Sequence, residues 1–311
     1  MTIGIIGLGH MGLAMAEHLI EAGQDVVGYD IAAEAMQALE VAGGRAAGSP
    51  REVADRAETV ISCLPNRAAS LATAFGADGV VEGGCVTTYV EMSTLGRAPI
   101  ALIGERLAGT SIGFLDAPIS GGPSRARDGT LTAIVAGAPE TIEAARGVLD
   151  RIATNVFVVG AAPGMAQVCK LVNNILSITA FVASCEALTI GVKAGLDAHA
   201  MIDVINVSTG RNSATLDKFP RAVLPRTFAY GGPLSIGEKD VELFLELARD
   251  TGAPAEVASC VASLFHRVAE KLGPETDYSR MITAFEEWAG GDVIVGGPRS
   301  APGEGDKKAL R

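Results

Sequence analysis

The sequence predicts a mostly parallel α/β domain, a long connecting helix and a second, all-α domain. Three observations carry this expectation. Short apolar runs alternate with helical segments through the first half, a glycine-rich turn follows the first run directly, and no convincing strand occurs beyond Gly195. At 311 residues the chain also exceeds what one compact core usually supports, so two cores are expected.

Strands are expected at residues 3–6, 25–29, 59–64, 86–91, 113–116 and 131–135, with a last one near 156–159. Their alternation with helices calls for crossover connections, and crossovers make neighbouring strands parallel. Gly160-Ala-Ala-Pro-Gly164 then interrupts the chain before an unbroken helical pattern to about Lys193. After Gly195, turns at 208–210, 231–233, 252–254 and 273–274 separate helical segments. The expected domains are therefore 1–162, a connecting helix at 163–193 and a helical domain at 194–290. Residues 291–311, rich in Gly, Pro, Ser and Lys, read as a mobile tail.

Composition narrows the function. Hydrophobic residues make up 48% and charged residues 20%, which excludes general disorder. The 25 Lys and Arg against 36 Asp and Glu give a net charge of −11, unfavourable for nucleic acid. Cys63, Cys85, Cys169, Cys185 and Cys260 are scattered, without the spacing of a disulfide framework. His10, His18, His199 and His266 have no metal-ligand spacing either, so no metal is expected. No Lys or Arg precedes Arg45, and the most apolar stretch, 175–185, is short for a bilayer; the expectation is a cytoplasmic protein without a membrane partner.

The first strand runs into Gly7-Leu8-Gly9-His10-Met11-Gly12, and a helical pattern follows to Ile20. A strand, G-x-G-x-x-G and a helix in this order are the signature of a dinucleotide-binding Rossmann domain. Gly7 permits the tight turn, Gly9 lets backbone approach a pyrophosphate, and Gly12 allows close helix packing. The second strand ends at Asp30, twenty-one residues after Gly9, where a carboxylate can accept from adenosine-ribose hydroxyls. NAD is thus expected over NADP, whose phosphate would meet that charge.

Lys170 sits in the run Lys170-Leu171-Val172-Asn173-Asn174-Ile175-Leu176, apolar on more than one face and so expected to be buried. Lys170 and Asn174 are four residues apart and share a helix face, so ammonium and amide can point at one substrate oxygen. Ser120-Gly121-Gly122 follows a strand end, where hydroxyl and N–H groups could converge on a carboxylate as an anion nest. Spacing alone favours an ordinary turn there, since turns also use Gly-Gly.

Four blocks in order resemble the 3-hydroxyisobutyrate dehydrogenase family, the β-hydroxyacid dehydrogenases that include tartronate semialdehyde reductases and 6-phosphogluconate dehydrogenase. They are the glycine loop, Asp116-Ala-Pro-Ile-Ser120-Gly121-Gly122, Gly164-Met-Ala-Gln-Val-Cys-Lys170-Leu-Val-Asn173-Asn174, and Lys239-Asp240. The likeness covers about residues 1–290. It implies a Rossmann domain joined by a long helix to a helical domain, a carboxylate nest at Ser120, Gly121 and Gly122, and Lys170 as the catalytic residue with Asn174 orienting the reacting oxygen. It also implies that Leu64 and Pro65 line the cofactor crevice, that Thr94 lies by the nicotinamide ribose and that Lys239 approaches the cofactor. Ala69 departs from the family pattern near the cofactor, and Gly96-Arg97 and the stretch 208–213 depart from it in ways that bear on substrate identity. The expected activity is hydride transfer between NAD(H) and C3 of a small 3-hydroxy acid or its semialdehyde, with tartronate semialdehyde or another short semialdehyde as the alternative substrate. A noncatalytic nucleotide-binding scaffold is the reading from another class. The apolar connecting helix and the resemblance together lead us to expect a homodimer or homotetramer.

Overall fold

The computed structural model describes residues 2–298. The chain divides into two compact units, Met1–Val172 and Asn173–Arg311. The first contains strands β1 (Thr2–Ile6), β2 (Asp25–Tyr29), β3 (Arg45–Ala46), β4 (Thr59–Ser62), β5 (Thr88–Glu91), β6 (Gly113–Asp116), β7 (Ile119–Ser120), β8 (Leu131–Gly137) and β9 (Ala153–Gly160). Between them run α1 (His10–Glu21), α2 (Ala33–Val41), α3 (Pro50–Arg56), α4 (Arg67–Phe75), α5 (Arg97–Leu107), α6 (Gly122–Arg127) and α7 (Pro139–Ile152).

The sheet order is β3-β2-β1-β4-β5-β6-β8-β7, with β9 beside β8. The strands from β3 to β6 are parallel, whereas β8 runs antiparallel to β6 and β7. Strand alternation sends neighbouring side chains to opposite faces. Ile3 and Ile5 accordingly join Met15, Leu19, Val148 and Leu149 on one face, and Ile6 joins Val53, Val60, Tyr89, Ile100 and Ile103 on the other. Covering both faces is what permits strands such as Thr59–Ser62 to be buried along their whole length. The order reverses at β1, which lies between β2 and β4, and the crevice beyond the carboxyl ends of the strands at such a point is where ligands bind this architecture. The expected strands are present, whereas two-residue β3 and β7 are too short to show any periodicity in sequence.

Helix α8 (Met165–Lys193) belongs to both units. Its first two turns pack on the sheet, with Ala166 and Gln167 fully buried, so the first unit reaches Val172 rather than the expected 162. By length and composition the 29-residue helix could cross a membrane, which corrects the estimate made from 175–185 alone. Its stripe Ile175, Ile178, Phe181, Val182, Cys185 and Leu188 is instead buried in the core of the second unit. There Phe181 stacks on Tyr278 at 4.6 Å between ring centroids.

The second unit continues through α9 (Ala198–Asn206), α10 (Leu234–Thr251), α11 (Glu256–Leu272) and α12 (Met281–Trp288). A π-helical segment, Ala214–Val223, precedes α10 and contains Pro220, which lacks the N–H that an α-helical ladder needs. The expected mobile tail is corrected in its first part. Val293 and Val295 are buried, the Val295 N–H donates to Glu286 Oε1 at 2.6 Å, and the Gly297 N–H donates to the Leu224 carbonyl at 2.7 Å. Two apolar side chains with satisfied backbone suffice to anchor a glycine-rich segment; residues 299–311 lie outside the described residues.

Candidate active site

The glycine loop leaves the end of β1 and enters α1, and its three glycines meet different constraints. Gly7 has φ +88°, and a Cβ there would lie 2.3 Å from the Cys63 carbonyl oxygen. A Cβ on Gly12 would lie 1.8 Å from the Gly7 carbonyl oxygen, so the first turn of α1 packs directly on the loop. A Cβ on Gly9 would meet nothing within 4 Å. The exposed approach at Gly9 and His10, followed by a helix start with no acidic residue and no side-chain cap, is a cradle that fits a pyrophosphate. Met11 is half-buried behind it and packs on the core.

Asp30 stands beside this loop. Its Oδ2 accepts from the Leu8 N–H at 2.7 Å and its Oδ1 from the Ala32 N–H at 2.8 Å. Leu8 therefore acts through structure, with its N–H on Asp30 and its side chain in the core. A carboxylate has about four lone-pair positions, so these two donors leave Asp30 able to accept ribose hydroxyls.

At the ends of β4 and β5 a buried chain of polar groups holds the next loops. The Ser93 N–H donates to Glu91 Oε1 at 2.9 Å, and the Leu64 N–H donates to Ser93 Oγ at 2.7 Å. Burial pushes the Glu91 carboxyl up, against hydrogen bonds from Ser93. Leu64 is thus fixed with exposed Pro65 next to it, and Thr94 is half-buried one residue past Ser93.

Gln167 is the hub that sequence reading missed. Its Oε1 accepts from the Leu95 N–H at 3.0 Å and the Gly96 N–H at 3.3 Å, while its Nε2 donates to the Ser93 carbonyl at 3.1 Å and to Asp116 Oδ1 at 2.8 Å. Asp116 Oδ2 accepts in turn from the N–H groups of Gly164 at 2.8 Å, Ala166 at 3.1 Å and Gln167 at 3.4 Å. The carboxylate caps α8 from the end of β6. Burial raises its pKa to about 6, and the hydrogen bonds from Gln167, Gly164 and Ala166 restrain the rise. This network joins the Ser93-Thr94 loop, the Asp116 strand end and the helix that carries Lys170 one turn further on.

Ser120 closes β7, and Gly121 and Gly122 follow with φ of +138° and +74°. A Cβ on Gly121 would lie 2.8 Å from Arg125 Cδ, whereas one on Gly122 would meet nothing within 4 Å. Open backbone at Gly122 is compatible with an anion nest. Lys170 is buried, at 7% exposure, in the second turn of α8. Asn174 follows one turn later, where its Nδ2 donates to Asp240 Oδ2 at 2.7 Å. Asp240, absent from the expected site residues, therefore sets the amide's orientation. Lys239 places its ammonium 3.6 Å from Asp240 Oδ1.

Both parts of the chain have known relatives. Residues 2–160 match the model of the NAD binding domain of 6-phosphogluconate dehydrogenase. Residues 164–285 match the model described as NAD-binding of NADP-dependent 3-hydroxyisobutyrate dehydrogenase. Mitochondrial 3-hydroxyisobutyrate dehydrogenase of Rattus norvegicus is 30% identical over 92% of this chain and 87% of its own. The chain belongs to the 3-hydroxyisobutyrate dehydrogenase family. L-threonate dehydrogenase of Cupriavidus necator is 32% identical over 91% of this chain and 96% of its own. Among solved structures, Mycobacterium tuberculosis 3-hydroxyisobutyrate dehydrogenase with L-serine superposes with a TM-score of 0.83 at 29% identity, covering 91% of this chain and 98% of that one. Membership makes the chain an NAD-dependent oxidoreductase of the hydroxy-acid dehydrogenase type.

Proposed function

We propose that this dehydrogenase interconverts a small 3-hydroxy acid and its semialdehyde with Lys170 as the proton-transfer group. The observation that carries the reading is a lysine buried on an apolar helix, one turn before an asparagine whose amide is oriented by Asp240. NAD, when bound, supplies the hydride acceptor, and Gly9, the first turn of α1 and Asp30 are the residues that would hold it. In oxidation the neutral Lys170 amine takes the hydroxyl proton of the substrate; in reduction the ammonium returns it to the alkoxide oxygen. Asn174 donates to the same oxygen and keeps it in line with Nζ. Ser120, Gly121 and Gly122 bind the substrate carboxylate, which orients the carbinol carbon. Leu64, Pro65 and Thr94 complete the cofactor surroundings in the first unit. Among relatives named for their substrates, 3-hydroxyisobutyrate, 2-(hydroxymethyl)glutarate and L-serine all carry a hydroxyl β to a carboxylate, which supports this substrate class.

Asp30 favours NAD over NADP, because a second negative charge at the ribose would face the carboxylate. The proposed setting is the cytoplasm, supported by cysteines scattered along the chain without the spacing of a disulfide framework. The proposed assembly is a homodimer or homotetramer, supported by exposed Leu176 and Ile190 on α8, Val204 on α9 and Val207 just after it. Purified protein offered NAD and a panel of 3-hydroxy acids, or NADH and semialdehydes including tartronate semialdehyde, should show absorbance change only with substrates bearing a carboxylate. Equal turnover of an acid and its amide would rule out the assigned nest.

A further inference from the structure

A second buried ammonium lies in the second unit, one turn along α8 from Asn174. Lys170, Asn174 and Ser177 follow one another at spacings of four and three, which places them on one stripe of the helix. At 1.5 Å rise per residue, Ser177 is about 4.5 Å beyond Asn174 along the axis. Lys218 reaches this point from the π-helical segment, and its Nζ donates to Ser177 Oγ at 3.0 Å. Ser213 Oγ lies 3.4 Å from the same hydroxyl.

Lys218 is 7% exposed, and Asp217 is the charged group that acts on it. The adjacent Asp217 is turned elsewhere: its Oδ2 accepts from the Tyr230 hydroxyl at 2.7 Å, and its Oδ1 lies 3.2 Å from Arg221 Nη1. Lys218 Nζ stands 5.6 Å from the Tyr230 ring centroid, a weak cation–π contact. Burial pushes its pKa down, with Asp217 opposing. An ammonium carries three donors, and a neutral hydroxyl is a poor partner for a buried charge. The surrounding groups suit an anion.

We propose that Lys218, Ser177 and Ser213 form a distal subsite that takes a second carboxylate of the substrate, so that short dicarboxylic hydroxy acids are preferred. The assignment rests on the reading above, since the distance is counted from Asn174, the group set against the reacting oxygen. The reacting oxygen goes to Lys170 and Asn174 on α8. The remaining arm of the substrate runs along α8 to Lys218. A charge-assisted hydrogen bond there would discriminate strongly against an uncharged arm.

Equilibrium binding separates this proposal from the catalytic one. The NAD-bound enzyme would be titrated calorimetrically with glutarate and with valerate, five-carbon acids that differ in the second carboxylate. Wild-type enzyme should bind glutarate at least about tenfold more tightly, the equivalent of about 1.4 kcal/mol. Lys218→Met should abolish the difference while leaving valerate and NAD affinity in place, and Lys218→Arg should retain part of it. Equal affinities in wild type, or an equal loss for both acids in Lys218→Met, would overturn the subsite. Should Lys218→Met fail to fold, the wild-type ratio and Ser177→Ala, expected to narrow it, still decide. A wild-type enzyme that turns over no hydroxy acid yet shows the ratio would refute the catalytic reading alone.

Discussion

Asp30 beyond β2 and Asp116 at the end of β6 are both strand-end aspartates that accept backbone N–H groups, yet their surroundings differ. Asp30 is half-exposed and accepts two such donors beside the glycine loop. Asp116 is fully buried and accepts three backbone N–H groups and the Gln167 amide. About four acceptor positions exist on a carboxylate, so Asp116 is saturated and Asp30 is not. The unsaturated one can take a ligand; the saturated one holds the start of α8. Position at a strand end thus does not decide an aspartate's role, and the number of donors already in place does.

The sharpest test of this contrast is to remove each side chain. Asp116→Ala strands four buried donors and should lower unfolding free energy by more than about 3 kcal/mol, since each costs about 1–3 kcal/mol when unsatisfied. Asp30→Ala should lower it by no more than about 1 kcal/mol, because water can replace a half-exposed acceptor. It should nevertheless weaken NAD binding and narrow the preference over NADP. Denaturant melts and cofactor titrations of the two variants read both effects, and similar stability losses would dissolve the distinction.

A smaller effect follows from the Asp116 pKa of about 6 against an ordinary 3.8. Between these values the folded protein holds a proton that the unfolded chain does not, so this group's contribution to stability is present below about pH 4 and is lost as pH rises through 6. Melting temperature should therefore gain from Asp116 as pH falls from 7 to 5, and Asp116→Asn should flatten that part of the profile. A slope unchanged in Asp116→Asn would assign it to other groups.

The same contrast explains what the sequence made legible. Gly7 to Gly12 and Asp30 were readable because a strand, a turn and a helix impose their pattern within some thirty residues. The burial of Lys170 was readable because the helical run around it is apolar on more than one face. The roles of Gln167 and Asp240 were not, although both stand inside the quoted blocks. Gln167 meets Ser93 and Asp116 across 74 and 51 residues, and Asp240 meets Asn174 across 66. Contacts of that separation depend on the sheet order and the helix packing, neither of which any local pattern specifies. Val295 was misjudged for the same reason, since its burial depends on Glu286 and its neighbours rather than on its glycine-rich flanks.

The central claim is that Lys170 moves the proton. Its most direct test is the pH dependence of single-turnover oxidation of a 3-hydroxy acid, with NAD affinity measured on the same samples for wild type, Lys170→Ala and Lys170→Arg. Cofactor affinity should be unchanged, because Gly9 and Asp30 are untouched. The alanine variant should lose roughly 10² to 10⁴ in rate, the range for a positioned acid or base. The arginine variant should be almost as slow, because a guanidinium stays protonated and cannot act as the base. The wild-type rate should rise with pH through one ionisation that vanishes in Lys170→Ala. An alanine variant that keeps more than about a tenth of the wild-type rate, or that retains the same ionisation, would contradict the claim and leave Lys170 a positioning group.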